Sequence, residues 1–176
     1  MTSTSSKKDL LSKSFIIVAT DLDGAIGRGR DIPWRHSADM KRFKEATMGC
    51  ALIVGRTTFE TLPAKMPGRT IIVVTSSPLP EGSNAQAASS YEEAIELAAK
   101  ADVRAIAFAG GSGIYREALR DRNVTIAYVT KISDRHEGDV FMPALGEEWE
   151  LAGWLDLPSQ DGEPDATVYR HERCAA

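Results

Sequence analysis

One acid on the apolar side of a helix is the first residue in this sequence placed to do chemistry. Asp39 stands four residues before Phe43, so the two share a helix face. Met40, Phe43 and Thr47 recur at helical spacing and mark the inner stripe, with Lys41, Arg42, Lys44 and Glu45 outward. Ahead of that helix lies a loop punctuated by Gly24, Gly27, Gly29 and Pro33, and ending in the pair Pro33–Trp34. A loop that can close, an aromatic and a single inward carboxylate suit an enzyme site. By itself, Asp39 reads equally well as a first-turn acid that favours the helix dipole and stays in water.

Two further stretches suit anion binding. Ala51-Leu52-Ile53-Val54 reads as a buried strand running straight into Gly55-Arg56-Thr57-Thr58-Phe59-Glu60, the start of a helix. Backbone N–H groups and the helix dipole favour negative charge there, and Arg56 adds a guanidinium fork. Ordinary capping by Thr57 beside a surface arginine is the alternative. Ala105 to Ala109 repeats the arrangement, feeding Gly110-Gly111-Ser112-Gly113-Ile114-Tyr115. This is not the dinucleotide-binding fingerprint, because Arg116 stands where the third glycine belongs. Gly110 and Gly111 could instead serve only close helix–sheet packing. Two separate strand-to-helix anion sites nevertheless match a phosphorylated dinucleotide, which carries two phosphate groups well apart. Thr75 and Ser76 follow a third strand, where α/β folds place ligands.

The elements that must position these residues follow from periodicity. Phe15 to Ala19, Ala51 to Val54, Thr70 to Thr75, Ala105 to Ala109 and Val124 to Thr130 are short, apolar and rich in β-branched residues, as strands buried on both faces are. Helices are predicted from the cap residue Ser37 to about Met48, where Gly49 stops the helix, from Tyr91 to Ala101, and from the second glycine turn to about Leu119. Trp149 to Leu157 and Asp165 to Glu172 form a hairpin around Pro158-Ser159-Gln160-Asp161-Gly162. The fold class is therefore α/β: a central, mostly parallel mixed sheet with an antiparallel C-terminal hairpin and helices on both faces.

At 176 residues, 43% hydrophobic and 26% charged, the chain suits one soluble domain over 15–176. Met1 to Ser14 is polar and rich in Ser, Thr and Lys, and reads as a flexible tail. A net charge of −4 with no basic stripe argues against nucleic acid. No apolar run approaches a signal-peptide core or a membrane span. Cys50 and Cys174 form no paired motif, which favours a reduced, cytoplasmic setting. His36, His136 and His171 lack metal-ligand spacing and are assigned to the surface, and no metal is expected. Trp149 and Trp154 are assigned to core or hairpin packing.

From Phe15 to His171 the sequence resembles the dihydrofolate reductase family. The resemblance rests on blocks in order: Ile26–Gly27, Pro33–Trp34 with Asp39, Phe43–Lys44, Val54 to Glu60, Pro67-Gly68-Arg69, Gly110–Gly111 with Tyr115, Thr130, and Gly138–Asp139. It implies reduction of 7,8-dihydrofolate to tetrahydrofolate by hydride transfer from NADPH, dihydrofolate and antifolate-type small molecules as partners, and a monomer. It further implies that Asp39 holds the pterin, with Thr130 behind it and Trp34 keeping a water near that network. Phe43, Leu62 and Met66 would enclose the aromatic middle of the substrate, and Arg69 would clamp the α-carboxylate. Ala19, Ile26 and Gly27 would border pterin and nicotinamide. Arg56, Thr57 and Ser76 would meet the adenosine end, Thr58, Gly111, Ser112, Gly113 and Ile114 would line the pyrophosphate path, and Gly55, Thr75, Gly110 and Tyr115 would also bind the cofactor. The Gly110–Gly111 bond would be cis. The sequence departs from the family in Ser112–Gly113 and in the charged lid residues Arg28 to Asp31. Two other readings share parts of the pattern: a pyrimidine reductase of riboflavin synthesis on the same fold, and a catalytically silent NADPH-binding module.

Overall fold

A computed structural model of the chain describes residues 6–175. The elements in order are α1 (Lys7–Ser12), β1 (Phe15–Thr20), β2 (Ala25–Gly27), α2 (Ser37–Thr47), β3 (Ala51–Gly55), α3 (Arg56–Thr61), β4 (Thr70–Val74), β5 (Ala85–Ala88), α4 (Tyr91–Lys100), β6 (Ile106–Phe108), α5 (Ser112–Arg120), β7 (Ile126–Ile132), β8 (Val140–Phe141), β9 (Trp149–Leu157) and β10 (Ala166–Arg173). Eight strands form one sheet in the order β5-β4-β3-β6-β1-β7-β10-β9, and β2 pairs with β8 in a small ribbon. Pairings are parallel from β5 through β7 and antiparallel at β7–β10–β9. The expected mixed α/β sheet with its C-terminal hairpin is therefore present.

The continuous apolar runs are explained by two covered faces. Ile16, Val18, Ile53 and Ile72 point to one side, where α4 and α5 pack through Ala94, Ile95, Ala98, Ile114, Tyr115 and Ala118. Phe15, Ile17, Leu52, Val54, Ile71 and Val73 point to the other, against Phe43 and Ala46 of α2 and Phe59 of α3. Among the described residues no helix is long and apolar enough to cross a membrane.

Part of the stretch expected as a flexible tail, residues 1–14, carries a helix from residue 7; residues 1–5 lie outside the described residues. Lys7–Ser12 is helical, capped by the Ser6 hydroxyl, and buries Leu10 and Leu11 in the α4–α5 side of the core. Only two apolar residues carry this docking, too few to register against the surrounding Ser and Lys. β5 was also unanticipated, because Ala85-Gln86-Ala87-Ala88 has little strand propensity; its parallel pairing with β4 supplies the order.

Removing the Leu10 side chain measures this docking directly. Leu10→Ala is expected to lower the unfolding free energy by about 2–3 kcal/mol in urea titrations, the usual cost of deleting a buried leucine. A tail free in solution would leave the midpoint unchanged.

Candidate active site

A single cavity of about 1160 Å³ opens beside the carboxyl ends of β1, β3 and β6, and α2, α3, α5 and the β2–α2 loop line it. Asp39 projects into it from the first turn of α2. Its Oδ1 accepts a 2.7 Å hydrogen bond from the hydroxyl of Thr130, a residue of β7 that is 1% exposed. Burial pushes the Asp39 carboxyl above the usual carboxylate range, while the Thr130 bond and, more weakly, Arg42 pull it down. The cavity's other carboxylates differ: Asp31 and Glu92 are exposed, and Glu117 pairs with Arg120. Phe43, Leu62 and Met66 form an apolar wall on the Asp39 side. Beyond them Arg69 lines the cavity with a buried Nε that has no partner.

The helix faces needed correction. Met40, assigned inward, is 57% exposed because its side of α2 meets the open cavity rather than the sheet. Arg42, assigned outward, lies over the Tyr128 ring at 4.9 Å. The cap is His36, not Ser37, and His36 is 2% exposed rather than on the surface. His136 is likewise enclosed, its ring 5.2 Å from that of Trp34.

The opposite end of the cavity is glycine-lined. α3 and α5 start from Gly55 and Gly111, and neither has a side-chain cap, whereas the side chains of Ser6, His36 and Ser90 cap α1, α2 and α4. The Gly110–Gly111 peptide is cis. The Gly110 carbonyl accepts from the Gly55 N–H at 2.7 Å, joining the two turns. A Cβ at Gly110 would lie 3.3 Å from both the Thr58 and Tyr115 hydroxyl oxygens, so the backbone packs closely against these side chains. The Tyr115 hydroxyl donates to the Ile17 carbonyl at 3.0 Å. Arg56 is engaged by Glu60 at 2.8 Å and by the Pro78 carbonyl at 2.8 Å.

The loop over the cavity is tied down at its base. The Gly27 carbonyl accepts from the Asp139 N–H at 3.1 Å, and the Gly29 N–H donates to Asp139 Oδ1 at 2.8 Å. Arg28 and Asp31 exchange backbone bonds of 2.8 and 3.0 Å. Arg30 reaches Glu60 of α3 at 3.1 Å, an exposed pair worth little by itself. Asp21, read from sequence only as turn chemistry, is fully buried and accepts the N–H groups of Asp23, Ala25 and His136, all at 2.9 Å.

Of the residues singled out in the sequence, Ala19, Ile26, Gly27, Asp39, Phe43, Gly55, Arg56, Thr57, Thr58, Leu62, Met66, Arg69 and the run Gly110 to Tyr115 line this one cavity. Trp34, Thr75, Ser76 and Thr130 do not; Thr130 stands behind Asp39, and the Thr75 hydroxyl accepts from the Ser77 N–H. Lys44, Arg30 and Ile32 also line the cavity without having been assigned a role. Their signal was adjacency to assigned residues. Among the described residues no group of three His, Cys, Asp or Glu side chains is placed to hold a metal ion.

Comparisons with known proteins agree with this arrangement. Residues 14–171 match the family described as dihydrofolate reductase. The chain is 36% identical over 147 residues to the dihydrofolate reductase of Mycobacterium tuberculosis, covering 79% of this chain and 86% of that protein. It is 35% identical over 137 residues to that of Haemophilus influenzae, covering 77% and 82%. Its fold matches that of a dihydrofolate reductase from Enterococcus faecalis complexed with NADP(H) and RAB-propyl, with a TM-score of 0.82 and 29% identity over 93% of this chain and 98% of that one.

The α2 start is also held from outside. Glu163 in the β9–β10 loop accepts from the Ser37 N–H at 2.8 Å, the Ser37 hydroxyl at 2.5 Å and the Gln160 N–H at 3.0 Å. These bonds, the Ser37 hydroxyl first, hold its carboxyl down at about 2. A depressed carboxyl pKa stabilises the fold above the unfolded value, near 4.3, and that contribution is lost as pH falls towards 2. Thermal midpoints of wild type and Glu163→Gln are therefore expected to differ at pH 6 and to converge near pH 2. Parallel curves over that range would remove this role.

Proposed function

The chain belongs to the dihydrofolate reductase family, and from that premise we propose that it reduces 7,8-dihydrofolate to 5,6,7,8-tetrahydrofolate with NADPH, acting as a monomer in the cytoplasm. The observation that carries the reading is Asp39, a carboxylate bonded to Thr130 inside a large cavity between an uncapped glycine cradle and an arginine, Arg69, whose buried Nε has no partner.

The residues present fit the cofactor. The glycine backbone at Gly110 and Gly111, where a Cβ would crowd Thr58 and, at Gly110, also Tyr115, suits a close pyrophosphate. Gly55 to Thr58 and Gly110 to Ile114 would hold the phosphates, with Arg56 toward the adenosine, and Ile26 and Gly27 would border the nicotinamide. When bound, NADPH supplies the hydride. On the substrate side, the apolar wall of Phe43, Leu62 and Met66 would enclose the aromatic middle. Arg69 would meet the α-carboxylate, which gives its unpartnered buried Nε an acceptor.

Asp39 would hydrogen-bond the amino group and ring nitrogen of the pterin, on the side of the ring away from N5. Its part is then to orient and polarise the ring so that C6 accepts hydride, while water delivers the proton to N5. Closure of the β2–α2 loop would exclude bulk water and strengthen these interactions. Burial raises the Asp39 pKa, so its charged form destabilises the fold at neutral pH, and that cost vanishes as pH falls through the raised value.

Four measurements test the reading. Loss of NADPH absorbance should require dihydrofolate and be blocked by a diaminopyrimidine antifolate. Oxidation only with a ribosylaminopyrimidine would favour the riboflavin-pathway alternative, and no oxidation with either a silent module. Asp39→Asn should lower turnover at pH 7 by about 10²-fold or more, with partial recovery in acid, while NADPH still binds. The same variant should melt higher than wild type at pH 7, a gain that disappears below about pH 4. Arg69→Lys keeps the charge but loses the fork, so KM for dihydrofolate should rise about tenfold with kcat little changed.

A further inference from the structure

The first turn of α2 holds a polar side chain that the reaction as described does not use. His36 is 2% exposed and is the N-cap of the helix, with φ −139° and ψ 110°. Its Nδ1 accepts the backbone N–H of Asp39 at 3.3 Å. A nitrogen that accepts carries no proton, so the ring's proton is on Nε2. Nε2 is itself buried and has no partner.

This arrangement is costly. A buried N–H without an acceptor forfeits about 1–3 kcal/mol relative to water. An apolar side chain would fill the same space without that loss. Among the described residues the bond at Nδ1 is the one hydrogen bond this side chain makes, and it ends on the amide of the residue at the centre of the site.

Asp39 is consequently fixed at both ends. Its amide is bonded to His36, and its carboxylate is bonded to Thr130 of β7 at 2.7 Å. The adjacent Ser37 is held from the opposite side by Glu163. The first turn of a helix is where backbone donors lack internal partners and fraying begins. A carboxylate on that turn keeps a fixed position only if the turn itself is anchored.

We propose that His36 is a positioning residue for Asp39: its imidazole caps the Asp39 amide and thereby sets where the carboxylate meets the pterin. The proposal rests on the function assigned above and adds to it a residue whose side chain is outside the cavity lining.

The test compares His36→Leu, which keeps bulk but removes the acceptor, with His36→Asn, whose side-chain oxygen can replace Nδ1 at an N-cap. Two readouts are taken on the full chain: hydrogen exchange of the Asp39 amide by NMR, and steady-state kinetics with NADPH and dihydrofolate. In His36→Leu, Asp39 amide protection should fall and KM for dihydrofolate should rise about fivefold, the equivalent of about 1 kcal/mol for a lost cap. KM for NADPH should stay within about twofold. His36→Asn should restore both the protection and the KM. A His36→Leu protein that melts lower but keeps wild-type amide exchange and wild-type KM for dihydrofolate would reduce His36 to a packing residue and overturn the proposal. Failure of His36→Asn to rescue would do the same. A wild type inert toward dihydrofolate would overturn the functional reading and the proposal with it, and the amide exchange of the variants would still report separately whether the cap exists.

Discussion

A carboxylate kept partly out of water, with a single hydroxyl bonded to it, is the constraint on which the site depends. Asp39 and Thr130 are 91 residues apart in sequence and meet at 2.7 Å only because α2 and β7 are docked in one register. The sheet supplies Thr130: β7 pairs with β1 on one side and β10 on the other, and the backbone of Thr130 faces Ala19 and Val168. The helix supplies Asp39, and its first turn is pinned by His36 from within and Glu163 from without. A shift of either element by one residue would leave the carboxylate buried without its hydroxyl. That outcome is penalised far more than the bond itself rewards.

The glycine end of the cavity depends on a different constraint, the close approach of two backbones. Gly55 and Gly110 lie at the ends of neighbouring parallel strands, and the 2.7 Å bond between them aligns two helix starts toward one space. Parallel strands make this possible, since successive strand-to-helix turns all emerge on the same edge of the sheet. The β2–α2 loop bounds the remaining side. Its base is held by Asp139 and by the buried Asp21, whose carboxylate satisfies three backbone donors. A side chain at Gly138 would place its Cβ 2.7 Å from the Gly27 carbonyl, so the lid base and the β7–β8 loop can meet only with glycine there.

Much of the fold was legible because the strands are buried on both faces. Runs such as Ile16-Ile17-Val18 and Leu52-Ile53-Val54 have no polar alternation to confuse them with surface strands, and the hairpin was marked by Pro158 to Gly162. The two glycine turns were legible through their place after such strands. What escaped detection depended on contacts distant in sequence. α1 docks through Leu10 and Leu11 alone, and β5 is ordered by β4 rather than by its own residues. His36 resembles any loop histidine until the helix start is placed one residue earlier than its best capping residue, Ser37.

The faces of α2 carry the same lesson further. Helical periodicity locates a stripe but assumes that the inward side meets a packed core. Here only part of that side does: Phe43 and Thr47 lie against or near the sheet, whereas Met40 borders open cavity. An apolar residue on a cavity wall is exposed until something fills the space, so exposure and function coincide at Met40 where periodicity expected burial. Arg42 shows the converse. Its guanidinium covers Tyr128 and lowers the cost of the Asp39 charge, so a cation assigned to solvent contributes to the electrostatics of the site. A helix that borders a binding cavity has three environments rather than two, and the acid at its start can be ionised there because the third environment is flanked by the second.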